Sequence, residues 1–259
     1  MPFGFDPQGQ LVNDVNGQAL RAVCDAMQQT LVRRLEQQGL SQGEIEETRR
    51  KALEIWLQAI SAAANLSEPF TEAWIKGTMH MYSTEFFYLA DSFARQICED
   101  EERYIQHLIE AIIPSSIREV GEAMSPVQIY RAYESLFQNL MPLDLRLLEA
   151  EPGRVVMRWY STAALTRIAP VYRDAFEKTY RGLIRSLFAR VPELLHGKPA
   201  ATVEEWLPEE SVTEWRISWK QPGIALRYTF IGVVVSVLLV IVTFAANIPA
   251  LGLIALLPV

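Results

Sequence analysis

The final stretch of the chain, residues 228–259, carries no charged side chain, whereas everything before it is dense in Lys, Arg, Asp and Glu. Such a segment has few places to go. From 229 to 246 the run TFIGVVVSVLLVIVTFAA is apolar or small throughout, and as a helix it reaches about 27 Å, close to the thickness of a hydrocarbon core. A buried helix of a globular core usually keeps a polar flank, so the run is expected to be a transmembrane helix. Thr229, Gly232, Ser236 and Thr243 are small enough for close helix contacts within it, though small residues are common in any span. Asn247, Ile248 and Pro249 then interrupt it, and a second apolar run, ALGLIALLPV, follows. One straight helix over 229–257 would measure about 43 Å, too long for a core of about 30 Å without a large tilt. Pro249 removes a backbone donor and kinks or ends the helix. The remainder then re-enters the lipid, packs on a partner, lies at the far interface, or opens a further span.

Arg216, Lys220 and Arg227 precede the run and no basic residue follows it, so the positive-inside rule places residues 1–227 in the cytoplasm. The start, MPFGFDPQGQ, has neither the basic opening nor the apolar core of an export signal. The expected layout is a membrane protein anchored by residues 228–259, with the lipid bilayer as its first partner. The net charge of −7 argues against nucleic acid, which needs a basic stripe. Cys24 and Cys98 fall in helical patterns and read as small buried apolar residues of a reducing compartment.

Residues 1–124 read as a helical bundle. Asn13 and Asp14 are expected to cap a helix whose apolar positions Leu20, Cys24, Met27, Leu31 and Leu35 recur at three and four, with Gly39 as its stop. Ser41 and Glu44 form a capping box for a second helix ending near Ala64. From 71 to 113 there is no Gly or Pro other than Gly77, and Met79, Tyr82, Phe86, Ala90, Phe93 and Ile97 approach a heptad seam that the acidic run 99–102 interrupts and Tyr104, Leu108 and Ile112 restart, which predicts one long third helix and leaves room for homo-oligomerisation through the bundle. A short helix is expected over 115–124, and Pro126 opens another carrying Ile129, Leu136, Phe137 and Leu140 inward.

After Pro142 the period changes to two. Leu143, Leu145 and Leu147 alternate with polar residues, Glu151, Pro152 and Gly153 make a turn, and 154–160 is the second strand of a hairpin. A helix over 171–190 follows, then a loop holding Pro192, Gly197 and Pro199. Strands are expected at 202–207 and 212–220, with Trp215, Ile217 and Trp219 facing one way and Glu214, Arg216 and Ser218 the other. The fold class is therefore α+β: a helical bundle, then a small antiparallel sheet with a helix on one face over 125–220, then the anchor.

The hairpin, the helix containing GLIRSLF at 182–188 and the closing strand WRISW give residues 126–220 a resemblance to the heme nitric-oxide-binding and 4-vinyl-reductase-like sensor modules. In the heme-binding members an aromatic-x-Ser-x-Arg signature grips the heme propionates. Trp159 and Ser161 match its first positions, while Ala163 stands where the Arg would be. The resemblance implies a sensory or regulatory module without heme and without enzyme activity.

The residues themselves carry little chemistry. No HExxH, CxxC, P-loop, GxSxG or dinucleotide fingerprint occurs. His80 and His107 are the candidate axial ligands of a cofactor, although a lone His on a helix more often lies at the surface or in a satisfied core. The acidic run at Glu99, Asp100, Glu101 and Glu102 reads as a solvated face and not as a metal site, since adjacent carboxylates on a helix diverge. Lys178, Arg181 and Arg185 recur at three and four and are expected to form a basic stripe for lipid headgroups or an acidic partner. These features suggest a non-catalytic regulatory or adaptor protein. The alternative is a structural or docking subunit that joins other membrane or cytoplasmic proteins in a larger complex.

Overall fold

A computed structural model of the chain describes residues 14–66, 68–77, 80–113, 124–140, 143–197 and 199–220. Its first element is a short strand, Val15–Asn16 (β1), paired antiparallel with Met81–Tyr82 (β2). This ladder moves the first helix cap to Asn16 from the position expected at Asn13 and Asp14. The Asn16 side chain accepts from the Gln18 amide to open α1, Gly17–Gln37, while Asp14 instead accepts from the Thr84 hydroxyl at 2.6 Å. Gly39 takes φ 78° past the end of α1, the left-handed conformation that glycine adopts without steric cost. In α2, Gln42–Ala63, the capping box between Ser41 and Glu44 is complete. Trp56 on α2 is fully buried and its indole N–H donates to the Ala90 carbonyl at 2.9 Å. Burying a side chain of this size contributes about 2–3 kcal/mol.

The long third helix is not continuous. It is divided into α3, Glu72–Lys76, β2, α4, Thr84–Cys98, and α5, Glu101–Ile112. Thr71, Ser83 and Asp100 each turn a side-chain oxygen onto an amide of the following turn, and such caps satisfy donors that a helix start leaves orphaned. Between α4 and α5, Glu99 adopts φ 57°. Arg34 secures this junction, donating through Nη1 to the Cys98 carbonyl and to the Glu99 carboxylate, both at 2.8 Å. The expected seam survives in part: Tyr82, Phe86 and Ala90 are buried, and Phe93 and Ile97 are half-buried. Met79 lies outside the described residues. α1 packs against α2, α4 and α5, and Cys24 and Cys98 are buried free thiols.

Pro126 opens α6, Pro126–Leu140, as its spacing predicts, with the Ser125 hydroxyl accepting from the Gln128 amide at 3.3 Å. Ile129 is buried. The side chains of Leu136, Phe137 and Leu140 lie outside the described ones, as do residues 115–123 of the short helix expected before α6. The strands are β3, Asp144–Glu151, β4, Arg154–Tyr160, β5, Thr202–Glu209, and β6, Val212–Ser218, in the antiparallel order β3-β4-β6-β5. Gly153 makes the β3–β4 turn at φ 85°. Register sets Trp159 opposite Thr213, Met157 opposite Trp215 and Val155 opposite Ile217, and all six are buried on the inner face. On the other face Arg158 stands opposite Glu214. Glu214, expected at the solvent face, is only 6% exposed, because Arg158 donates to its carboxylate through both Nε and Nη2.

A short helix, α7, Thr162–Thr166, and a 3-10 turn, Pro170–Tyr172, lead into α8, Arg173–His196. This helix runs through Pro192, where a loop is expected from the sequence, and ends at Gly197 with φ 58°. Phe188 of α8 meets Trp215 of β6 edge to face at 5.6 Å. One cluster of buried side chains spans α1 to β6, drawing on residues from both sides of position 124, and residues Met1–Trp219 form one compact unit. The observed class is α+β, as expected. No helix among the described residues is long and apolar enough to cross a membrane. The expected span over 229–246 lies outside those residues.

Candidate functional site

The strongest polar constellation lies inside the molecule, between α4, α5 and α8. Asp91 and Arg95 sit one turn apart on α4, and Arg95 donates through Nε to the Asp91 carboxylate at 2.9 Å. From α5 the Tyr104 hydroxyl donates to the other Asp91 oxygen at 2.7 Å. Asp91 is 1% exposed and Tyr104 fully buried, so this is a desolvated charge held by two donors. Arg95 also stacks over the Tyr104 ring at 5.4 Å and donates to Glu101 at 2.8 Å. Burial opposes the Arg95 charge, yet Asp91 beside it holds the guanidinium above its ordinary range. The Tyr104 phenol is pushed well above its usual value by burial and then by Asp91.

α8 supplies Tyr180, whose ring stacks on Phe176 at 4.3 Å and meets Phe87 of α4 edge to face at 6.3 Å. Burial, followed by the Asp91 carboxylate, raises the Tyr180 phenol well above its usual value, with Arg95 opposing. A second tie from α4 is Glu85, 3% exposed, which accepts from the Ala169 amide ahead of α8 at 2.5 Å. Burial raises its carboxyl, and the Ala169 hydrogen bond works the other way. Neither Asp91 nor Glu85 stands out in the sequence. Their partners lie far along the chain, and the one local signal is that Asp91 and Arg95 have the i,i+4 spacing of a helical ion pair.

His107 lies on α5 against α1, its Nδ1 at 2.9 Å from the Thr30 hydroxyl. Thr30 has a single hydroxyl proton and gives it to the Ala26 carbonyl at 2.7 Å. Toward His107 it can then only accept, so Nδ1 carries the ring proton and Nε2 keeps its lone pair. The ring borders a polar groove of about 450 Å³ between the two helices, shared with Arg33, Glu36 and Glu110. Burial lowers the imidazole below its ordinary value; Glu110 raises it, and Arg33, Arg103 and Arg190 lower it.

His80 is elsewhere. Its ring stacks on Trp74 at 4.4 Å, and Trp74 stacks in turn on Phe70 at 4.2 Å. Its carbonyl accepts from the Gly17 amide at 2.8 Å. The two histidines therefore contact α1 thirteen residues apart, at Gly17 and Thr30, which is about 20 Å along a helix. Among the described residues no group of three or more His, Cys, Asp or Glu could hold a metal ion.

Of the basic residues on α8, Lys178 and Arg185 are exposed. Arg181 is drawn onto the sheet, 3.5 Å from Glu205 of β5, which also accepts from the Trp215 indole at 2.8 Å. Trp159 is buried and stacks near Trp215 at 6.4 Å. The Ser161 hydroxyl lies 2.9 Å from Glu177 and 3.1 Å from the Ser211 carbonyl. Ala163 is exposed. The anchor residues Thr229, Gly232, Ser236, Thr243 and Pro249 lie outside the described residues.

No family model matches the sequence, and no curated protein matches it. Among solved structures the chain is similar to an Fe(II) unliganded H-NOX protein from K. algicida, at 10% identity and a TM-score of 0.36, over 64% of this chain and 88% of that one. A mutant of the same H-NOX protein matches at 11% identity and a TM-score of 0.36, over 66% and 90%.

Proposed function

We propose that the chain is a non-catalytic regulatory or adaptor module, held at a membrane by residues 228–259, in which α8 carries changes between the helical layer and the sheet. One observation supports this reading above others: α8 is tied on both sides by partly shielded charges. Arg190 reaches Glu110 of α5 at 3.4 Å, and Arg181 reaches Glu205 of β5 at 3.5 Å. A shift of α4 or α5 against α8 would change the first contact and, through a stiff helix, the second. The few residues after β6 then lead into the uncharged segment. Lys178 and Arg185 remain available to anionic headgroups or an acidic partner, each contributing about 1 kcal/mol near such a surface.

The second reading, a docking subunit of a larger membrane complex, is favoured by the apolar run after Pro249, which exceeds what a single span needs. A mild-detergent pull-down from native membranes, read by mass and absorption, separates the two. Variable or substoichiometric partners are expected for a regulator. Recovery at fixed stoichiometry with other membrane subunits contradicts it and supports the docking reading. Substrate turnover by the purified chain contradicts both.

A further inference from the structure

Ion pairing divides the cationic side chains of the described residues into two groups. From Arg21 to Arg216, most of them are paired with a carboxylate. The exceptions among the described residues are Arg131, Lys220 and a set that falls together along α7 and the first half of α8: Arg167, Arg173, Lys178 and Arg185. Between 161 and 185 stand five basic residues and two acidic ones, in a chain of net charge −7. Of those two, Glu177 lies 2.9 Å from the Ser161 hydroxyl, which leaves Asp174 as the exposed carboxylate. The stretch therefore carries a local surplus of positive charge.

Among these cations sits the most exposed large apolar side chain of the described residues. Val171 is 80% exposed, ahead of Ile55 at 59%. The 3-10 turn that carries it is pinned from behind: Ile168 is fully buried, the Tyr172 ring lies 6.0 Å from that of Tyr88 on α4, the Ala169 amide donates to Glu85, and Arg173 Nε donates to the Ile168 carbonyl at 3.1 Å. A turn fixed in this way holds Val171 outward. Pro170 beside it is exposed, as are Ala175, Lys178, Gly182 and Arg185 on α8, the last four recurring at three and four on one helix face.

A protruding apolar residue among cations that lack counter-ions fits an anionic bilayer surface, where the apolar group enters the headgroup layer and the cations meet lipid anions. A protein partner asks for something else. Protein interfaces are built round large apolar and aromatic anchors, whereas the aromatic residues here, Tyr172, Phe176 and Tyr180, are packed against the core. We propose that Val171, with Arg167, Arg173, Lys178 and Arg185 alongside it, is a second membrane contact, which docks on anionic lipid with the Val171 side chain in the headgroup layer. The contact rests on the membrane reading above, which supplies the nearby bilayer, and it adds a preference for lipid charge that an uncharged anchor does not give.

Spin labelling of the full chain reads this contact. Cys24 and Cys98 are buried, so a nitroxide attaches at Val171→Cys, and at Ile55→Cys as an exposed reference on α2. In vesicles containing phosphatidylserine, the label at 171 should gain accessibility to oxygen and lose it to a water-soluble nickel chelate. In phosphatidylcholine alone it should stay in water. Lys178→Gln with Arg185→Gln should lower its inserted-to-free ratio in the anionic vesicles about thirtyfold, each cation contributing about a factor of five near such a surface. A label at 171 that stays in water in the anionic vesicles overturns the proposal and leaves the cations to an acidic protein. Equal insertion into both lipids, or insertion of the label at 55 as well, also overturns it. Flotation with phosphatidylcholine vesicles judges the anchor separately: a chain that fails to float there contradicts the anchor, while the label at 171 in anionic vesicles still decides the proposal.

Discussion

The Tyr130 hydroxyl on α6 donates to the Phe188 carbonyl on α8 at 2.8 Å, and Phe188 is the carbonyl that Pro192 cannot serve. An α-helix bonds each amide to the carbonyl four residues back. Pro192 has no amide hydrogen, so the Phe188 oxygen would be stranded inside α8 without an outside donor. Tyr130 supplies it, and its fully buried ring meets Phe188 at 5.9 Å and stacks with Trp219 at 5.5 Å. This donor accounts for a helix that continues through proline where a loop is expected.

A double-mutant cycle tests that compensation. Tyr130→Phe should cost about 1–3 kcal/mol, because it leaves a buried carbonyl unpaired. In a Pro192→Ala background the backbone amide returns to compete for the same oxygen, so the cost of Tyr130→Phe should shrink. Equal costs in the two backgrounds, measured by chemical denaturation, would show that the bond is incidental.

The Asp91 network predicts a contrast within one cluster. Asp91→Ala removes the buried counter-ion of the Arg95 guanidinium, leaving only the exposed Glu101, and should cost about 3–5 kcal/mol. Glu101 contacts the same Arg95 but is 69% exposed, and Glu101→Ala should cost under about 1 kcal/mol. Similar losses from the two variants would remove the argument from burial.

His107 predicts a pH dependence with a definite sign. Its folded value is lowered from 6.5, first by burial, so the unfolded chain binds the proton more readily. Its contribution is whole above about 6.5 and is lost as pH falls from there toward the lower folded value. The melting temperature of the native chain should therefore fall faster than that of His107→Gln on acidification below that point. The ring tautomer is a separate check. Nitrogen shifts of the neutral imidazole should show the proton on Nδ1, and a proton on Nε2 would contradict the Thr30 geometry.

The basic residues of α8 should separate into two behaviours. Lys178→Glu with Arg185→Glu should weaken sedimentation with anionic vesicles and leave stability nearly unchanged, since both side chains are exposed. Arg181→Glu should instead lower the melting temperature, because it places a carboxylate against Glu205. Vesicle binding unaffected by the double reversal would remove this surface from the account.

Elements set by local chemistry were legible. The Ser41 and Glu44 box, the Gly39 stop, the Pro126 start and the turn at Gly153 each rest on residues within a few positions of one another, and each is observed. The long third helix misled because hydrophobic period continues across its breaks. Ser83 and Asp100 were the available signals, Ser83 being an N-cap residue type within an apolar pattern and Asp100 one within the acidic run that interrupts it. What decides the interior depends on distant partners. Pro192 remains helical because of Tyr130, Glu214 is buried because of Arg158, and the His107 tautomer is fixed by Thr30. Periodicity records none of these pairings. The basic stripe was legible as spacing, but its division into exposed Lys178 and Arg185 and a sheet-bound Arg181 required Glu205.

Amide hydrogen exchange on the full chain in a lipid nanodisc, comparing native protein with Asp91→Asn, tests the role given to α8 most directly. The hydrogen bonds that Asp91→Asn alters are those to Arg95 of α4 and Tyr104 of α5, and on α8 its carboxylate acts only through its charge on Tyr180. If α8 links the helical layer to the sheet, exchange should quicken in α4 and α5, along α8, and at β5 beside Glu205. Faster exchange confined to α4 and α5, with α8 and β5 unchanged, would contradict the account.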